Sequence, residues 1–265
     1  MNQIDALAPL LGRTMVLVAH PDDESIACGG LLQKMRDPFV VFATDGAPED
    51  EFFWGKHGSR AAYSKVRQQE ARAALAHVGV HEVKFLVDDA TNPAHLVDQR
   101  LFRAIPETLE LLRPIVQQLR PQALLTLAYE GGHPDHDTCS FLSSRLGSEF
   151  HLPVWEAPLY HRTSDGGGVY QRFVNEQGEV IEYSVNGEDL ERKQRMLGSY
   201  KSQFDALPHF RADLERFRPQ FPYDYKQPPH AGRLNYEVWE WKMTGREVSG
   251  AFAAVLSGDG RPRRQ

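Results

Sequence analysis

Two apolar runs, 14–19 and 123–128, each lead into a histidine–carboxylate cluster: His20-Pro21-Asp22-Asp23-Glu24 after the first, and His133-Pro134-Asp135-His136-Asp137 after the second. Each cluster stands where a strand would end. In an open α/β sheet, ligands bind in the crevice beyond the carboxyl ends of the strands. Two clusters more than a hundred residues apart can therefore share one crevice.

The surrounding pattern agrees with such a sheet. Apolar, β-rich runs at 14–19, 39–44, 82–87 and 122–127 are predicted strands, and 24–36, 60–78 and 99–119 have helical length and composition. Pro38 and Gly79 supply stops, and Pro106 and Pro114 predict a break or kink in the third helix. The alternation predicts an α/β fold with a mostly parallel sheet flanked by helices. Beyond residue 150 the runs shorten to 154–160, 168–174 and 180–185, with a turn signal at 175–178, which predicts extra C-terminal strands. A helix over 187–202 follows. The proline- and aromatic-rich stretch 204–233 reads as an ordered loop or lid over a site, or as a structural wrap. Tyr236, Trp239 and Trp241, with Phe252, read as core-facing strand residues or as apolar surface for a homo-oligomer contact.

A chain of 265 residues can form one large domain, here a core over about 14–150 with strand and lid additions over about 151–265. No segment reaches the roughly 18 consecutive apolar residues of a membrane span. The ordinary signal-peptide pattern is missing, so a cytoplasmic location is expected. A net charge of −6 argues against nucleic acid as a partner, and the basic stretch Arg261-Pro262-Arg263-Arg264 reads as a solvated end. Cys28 and Cys139 cannot build a disulfide scaffold and read as small packing residues.

The clusters carry the chemistry. Imidazole with carboxylate suits zinc, iron or another divalent transition ion. His20 and Asp23, three apart across a strand-to-helix turn, can chelate one ion, which leaves Asp22 to take a proton from a water beside it. Asp-Asp-Glu at a helix start also serves as cap and dipole complement. In the second cluster one histidine would complete a catalytic set of three protein ligands. The other would be free to act as acid or to polarise a carbonyl, oriented by Asp135 or Asp137.

Ala-His-Pro-Asp-Asp-Glu at 19–24 together with His-Pro-Asp-His-Asp at 133–137 resembles the signature of the PIG-L/LmbE-like deacetylases. The resemblance implies a Rossmann-like fold, a single LmbE-like domain over 1–265, and zinc-dependent hydrolysis of an N-acetyl group on a small N-acetylglucosamine-type substrate or glycoconjugate. Carried across by motif, it makes His20, Asp23 and His136 the zinc ligands and Asp22 the general base. It makes His133 the group that stabilises the oxyanion or protonates the amine, with Asp135 behind it. Thr44-Asp45-Gly46, Arg67-Gln68-Gln69-Glu70 and Tyr200-Lys201-Ser202-Gln203 also look like the family, which makes Asp45 and Arg67 candidate substrate contacts. Some members place a tyrosine two residues before the first histidine of the second motif. Here that position is Gly131, with Tyr129 nearby, so either Tyr129 reaches the site or the oxyanion falls to His133 and the metal.

Two rivals stand beside this reading: a zinc amidase acting on a thiol conjugate or another non-sugar acyl amide, and a non-catalytic metal- or nucleotide-binding protein. Asp22 opposes the second, because a structural zinc site closes with four protein ligands and has no use for a spare carboxylate. No G-x-S-x-G elbow is present to support a serine hydrolase.

Overall fold

The computed structural model describes residues 3–91, 96–163 and 165–258; the basic stretch 261–264 lies outside them. In chain order the elements are α1 (Gln3–Ala6), β1 (Arg13–Val18), α2 (Asp23–Leu32), β2 (Asp37–Phe42), α3 (Glu51–Trp54), α4 (Arg60–Ala76), β3 (Val83–Phe85), α5 (Ile105–Leu119) and β4 (Ala123–Leu127). Then come α6 (Pro134–Phe150), β5 (Val154–Ala157), β6 (Tyr160–Arg162), β7 (Gly168–Tyr170), β8 (Ile181–Ser184), α7 (Gly187–Ser199), β9 (Leu214–Pro219), α8 (Asn235–Val238) and α9 (Gly245–Leu256).

The main sheet runs β3-β2-β1-β4-β5-β9-β8. Its first five strands are parallel, while β9 pairs antiparallel with both β5 and β8. The short strands β6 and β7 form a separate antiparallel pair. Alternate residues of the apolar runs feed two cores. Val16, Val18, Val40 and Phe42 enter one, and Met15, Leu17, Val41 and Ala43 the other. A strand covered on both faces favours apolar side chains at every position, which is why these runs are continuous rather than alternating; the buried Thr14 and Thr126 bond the carbonyls of Leu10 and Leu17.

The strand order reverses between β1 and β4, which pair from Thr14 with Ala123 to Leu17 with Thr126. The segments leaving their carboxyl ends therefore open into one crevice, at the switch point where such sheets bind ligands. Both histidine–carboxylate clusters leave from these ends.

Three expectations need correction. The third helix starts at Ile105, with Pro106 in its first turn where the missing N–H costs nothing, and it runs through Pro114 to Leu119. The stretch 204–233 is not all loop, because β9 lies inside it as an interior strand. The aromatics at 236–241 are not a strand: Tyr236 is buried on α8, and Trp239 and Trp241 follow that helix. Cys28 and Cys139 are free and buried, as packing residues would be. Among the described residues, no helix is long and apolar enough to cross a membrane.

Strand β9 escaped notice because its inward residues include charges. Glu215 pairs with Lys193 at 2.6 Å, both fully buried, and Arg218 pairs with Glu156 at 2.8 Å. Glu215 also accepts from the backbone N–H groups of Gly30 at 2.6 Å and Leu31 at 2.9 Å, while the Lys193 ammonium donates to the Ile26 carbonyl at 3.1 Å. These bonds serve α2 where its geometry breaks at Cys28 (φ −148°). Lys193→Ala would leave a buried carboxylate without its partner, and a loss of about 3–5 kcal/mol in denaturant unfolding is expected. A loss below about 1 kcal/mol would show that the pair is not what holds α2 to β9.

Candidate active site

The turn from β1 into α2 carries Asp22 in a backbone conformation unusual for a residue with a side chain, φ 125° and ψ −33°. The Asp22 N–H donates to Glu24 Oε2 at 3.1 Å, and Glu24 Oε1 accepts from the Ser25 hydroxyl and the Tyr200 phenol. On the other side the Arg67 guanidinium donates to the carbonyls of Pro21 at 2.5 Å and Gly46 at 3.1 Å, and lies 3.4 Å from Asp22 Oδ2. The strained turn is thus held from both flanks by buried groups, as strain at a site requires. Burial pushes the Asp22 carboxyl up to about 7 against the opposing charge of Arg67.

His20, Asp23 and His136 converge. The separations are 3.4 Å from His20 Nδ1 to Asp23 Oδ2, 3.2 Å from His136 Nε2 to Asp23 Oδ1, and 3.3 Å between His136 Nε2 and His20 Nδ1. A tetrahedral ion with bonds of about 2.0–2.1 Å holds its ligands roughly 3.3 Å apart; the two nitrogens stand at that spacing, and Asp23 faces each of them through a different oxygen. The other nitrogen of His20, Nε2, lies 3.1 Å from Asp135 Oδ2, the carboxylate partner that ligating histidines commonly have. Among the described residues, two other groupings of donors lie close enough to share an ion, His20 with His133 and His136, and His20 with Asp98, His133 and Asp135. Hydrogen bonding argues against His133 as a ligand: its Nδ1 accepts from the Asp135 N–H at 3.1 Å, which leaves the proton on Nε2, 3.2 Å from Asp98 Oδ1. Burial, then the neighbouring His20, lower the His133 imidazole below its usual range.

Residues 15–146 match the PIG-L family, described as GlcNAc-PI de-N-acetylase. The matched segment is just under half of the chain and holds both histidine–carboxylate clusters. It is 24% identical over 199 residues to a Bacillus cereus protein named probable N-acetyl-alpha-D-glucosaminyl L-malate deacetylase 2, covering 73% of this chain and 84% of that one. A Nocardioides 1D-myo-inositol 2-acetamido-2-deoxy-alpha-D-glucopyranoside deacetylase is 28% identical over 159 residues, 47% of this chain and 50% of its own. The chain thus spans only half the length of that relative. Among solved structures, a triple mutant of a deacetylase in the teicoplanin biosynthetic pathway superposes with a TM-score of 0.60 at 19% identity, over 80% of this chain and 99% of its own, a likeness of fold.

Against the PIG-L motif, the structure brings His20, Asp22, Asp23, His133 and His136 to one cavity, with Arg67 in its wall. The Asp135 carboxylate lies against both His133 and His20, closer to His20. It bonds His20 and accepts from the N–H groups of Gln99 at 2.6 Å and Leu101 at 3.0 Å; His133 Nδ1 lies 3.9 Å from Asp135 Oδ2 and accepts from the Asp135 N–H at 3.1 Å. Asp45 does not line the cavity, because its carboxylate accepts from Ala47 N–H at 3.0 Å, Asp98 N–H at 3.3 Å and Arg60. Tyr129 does not replace the family tyrosine, since its hydroxyl donates to the Gln227 carbonyl at 2.7 Å and its ring packs in the core. A side chain at Gly131 (φ +72°) would place its Cβ 2.7 Å from Leu234.

Sequence reading missed Asp98, Tyr160 and Trp241, which also line the cavity. Asp98 Oδ1 lies 3.2 Å from both His20 and His133, yet a single aspartate after β3 carries no motif that would single it out. Tyr160 packs on His136 and Trp241 on His133, with ring centres 5.4 and 4.9 Å apart. A larger, open groove lined by Glu70, His77 and Lys201 among others lies apart from all of these.

Proposed function

We propose that this protein is a metal-dependent hydrolase that removes the N-acetyl group from an N-acetylglucosamine-type molecule, with zinc the first candidate ion and iron or another divalent transition ion the next. The carrying observation is a spare buried carboxylate, Asp22, beside a convergent set of three donors, His20, Asp23 and His136. The names of the relatives support the substrate class.

An ion held by that set would polarise the acetamide carbonyl and ease deprotonation of the attacking water. Asp22 takes the proton of that water. The Nε2–H of His133 donates to the oxygen on which negative charge develops, in a water-poor site where one such donor is worth about 10²–10³ in rate. Asp22, once it holds the proton of the water, is placed to pass it to the departing amine, and burial and the neighbouring His20 work against a charge on His133. Asp135 fixes the ring of His20, and Arg67 fixes the turn that carries Asp22, each from behind.

His133→Ala is expected to lower kcat about 10²–10³-fold with metal content near normal. An unchanged rate would remove His133 from the mechanism. The whole reading is tested by measuring free-amine release from N-acetylglucosamine and its glycosides by protein of known metal content, with and without chelator. Chelator-sensitive release supports it. Release only from other amides, such as thiol-conjugate amides, would favour the amidase alternative, and no release by metal-loaded protein would end the hydrolase reading.

A further inference from the structure

The cavity around the donor set is small, about 140 Å³. Pockets that enclose a whole small ligand measure roughly 300–1,000 Å³, so only the acetamido end of a substrate fits inside and the remainder must lie across the mouth. What the mouth offers therefore restricts the group joined to the amino sugar.

That mouth is aromatic. From His133 the rings adjoin one another: Trp241 at 4.9 Å, then Trp239 at 4.8 Å from Trp241, Tyr160 at 6.1 Å from Trp239, and Phe210 at 6.1 Å from Tyr160. Tyr170 follows at 5.4 Å from Phe210. Trp239 and Tyr170 are 43% and 40% exposed, well above what burial of large rings normally leaves. Ile26, Pro48, Phe53 and Leu159 complete the apolar wall.

Charge points the same way. Among the described residues lining the cavity, the acids are Asp22, Asp23 and Asp98, and the one guanidinium, Arg67, is already bonded to two carbonyls and adjacent to Asp22. An anionic group reaching into the cavity would find no free cation in that wall, and a polyol there would meet, besides the rings and histidines, only Gln99 and Gln203 as neutral polar side chains; outside it, the exposed His209 stacks on Tyr170 at 5.2 Å.

Resting on the deacetylase reading, we infer that the group carried by the amino sugar is uncharged and apolar, an aryl or alkyl aglycone seated on the rim formed by Trp239, Trp241, Phe210 and Tyr170. An aglycone held equally in ground and transition states lowers KM and leaves kcat unchanged.

The test compares kcat/KM for the methyl, phenyl, hexyl and L-malate glycosides of N-acetylglucosamine and for diacetylchitobiose, using wild type, Trp239→Ala, Trp239→Phe and Tyr170→Ala. The phenyl and hexyl glycosides are expected to exceed the methyl glycoside by about tenfold or more, through KM. Trp239→Ala should bring that ratio close to one, and Trp239→Phe should restore most of it. Both replaced side chains are partly exposed and outside the two cores, so the variants should fold, and light scattering on the same samples shows whether the rim instead joins two copies of the chain. Equal turnover of methyl and apolar glycosides, a preference for the malate glycoside or the disaccharide, or a wild-type dimer that Trp239→Ala dissolves with the ratio unchanged would each overturn the inference while leaving the deacetylase reading intact. No release from any glycoside would overturn that reading and the inference with it.

Discussion

Asp22→Asn is expected to lower kcat by about 10²–10⁴-fold, the usual contribution of a positioned general base, while leaving metal content at the wild-type level. Asparagine keeps the size and the turn but cannot take a proton at any working pH. The turn should survive because its supports act on the backbone: Glu24 accepts from the Asp22 N–H, and Arg67 donates to the carbonyls of Pro21 and Gly46. The pH profile gives a second readout. Burial holds the Asp22 carboxyl up to about 7, and a cation among the neighbouring donors would pull it lower, so wild-type kcat should rise with pH along an acid limb at or below that value. The sign follows from the ionised form being the active one. The residual activity of Asp22→Asn should lack that limb. Metal loss in this variant equal to that in a ligand variant would sink the division of roles.

The readable parts of this protein were those where one physical demand acts alone. Strands buried on both faces favour unbroken apolar runs, and β1, β2 and β4 announced themselves for that reason. The clusters at the ends of β1 and β4 were legible because consecutive residues supply most of the site, and the family motif names them by position. Strand β9 was hidden because its interior charges, Glu215 and Arg218, are neutralised by Lys193 and Glu156 from other elements, a fact no local pattern carries. Asp98 and Trp241 were hidden for the same reason: each reaches the cavity from a separate segment, and only folding brings it beside His133. Asp45 shows the opposite failure, a residue whose motif suggested substrate but whose carboxylate is spent on the N–H groups of Ala47 and Asp98, shaping the loop that presents Asp98.

His136→Ala is expected to reduce bound metal to below about a tenth of the wild-type content, since two remaining ligands, His20 and Asp23, make a poor site for an ion that favours three protein donors and an open position. Stability gives an independent readout: an ion at 100 times its dissociation constant stabilises the native state by about 2.7 kcal/mol, so added metal should raise the wild-type Tm and leave that of His136→Ala unmoved. Protons compete for the same set. Burial works against a charge on His20, but Asp98, Asp23 and the bond to Asp135 outweigh it and hold the metal-free imidazole well above its ordinary range. Metal must therefore displace a proton there, and affinity should fall as pH drops from about 8 to about 6, with proton release visible as buffer-dependent heat in calorimetry. Full metal content in His136→Ala, or an affinity flat across that range, would show that the ion sits on a different set of donors, and Asp98 with His133 would be the first place to look.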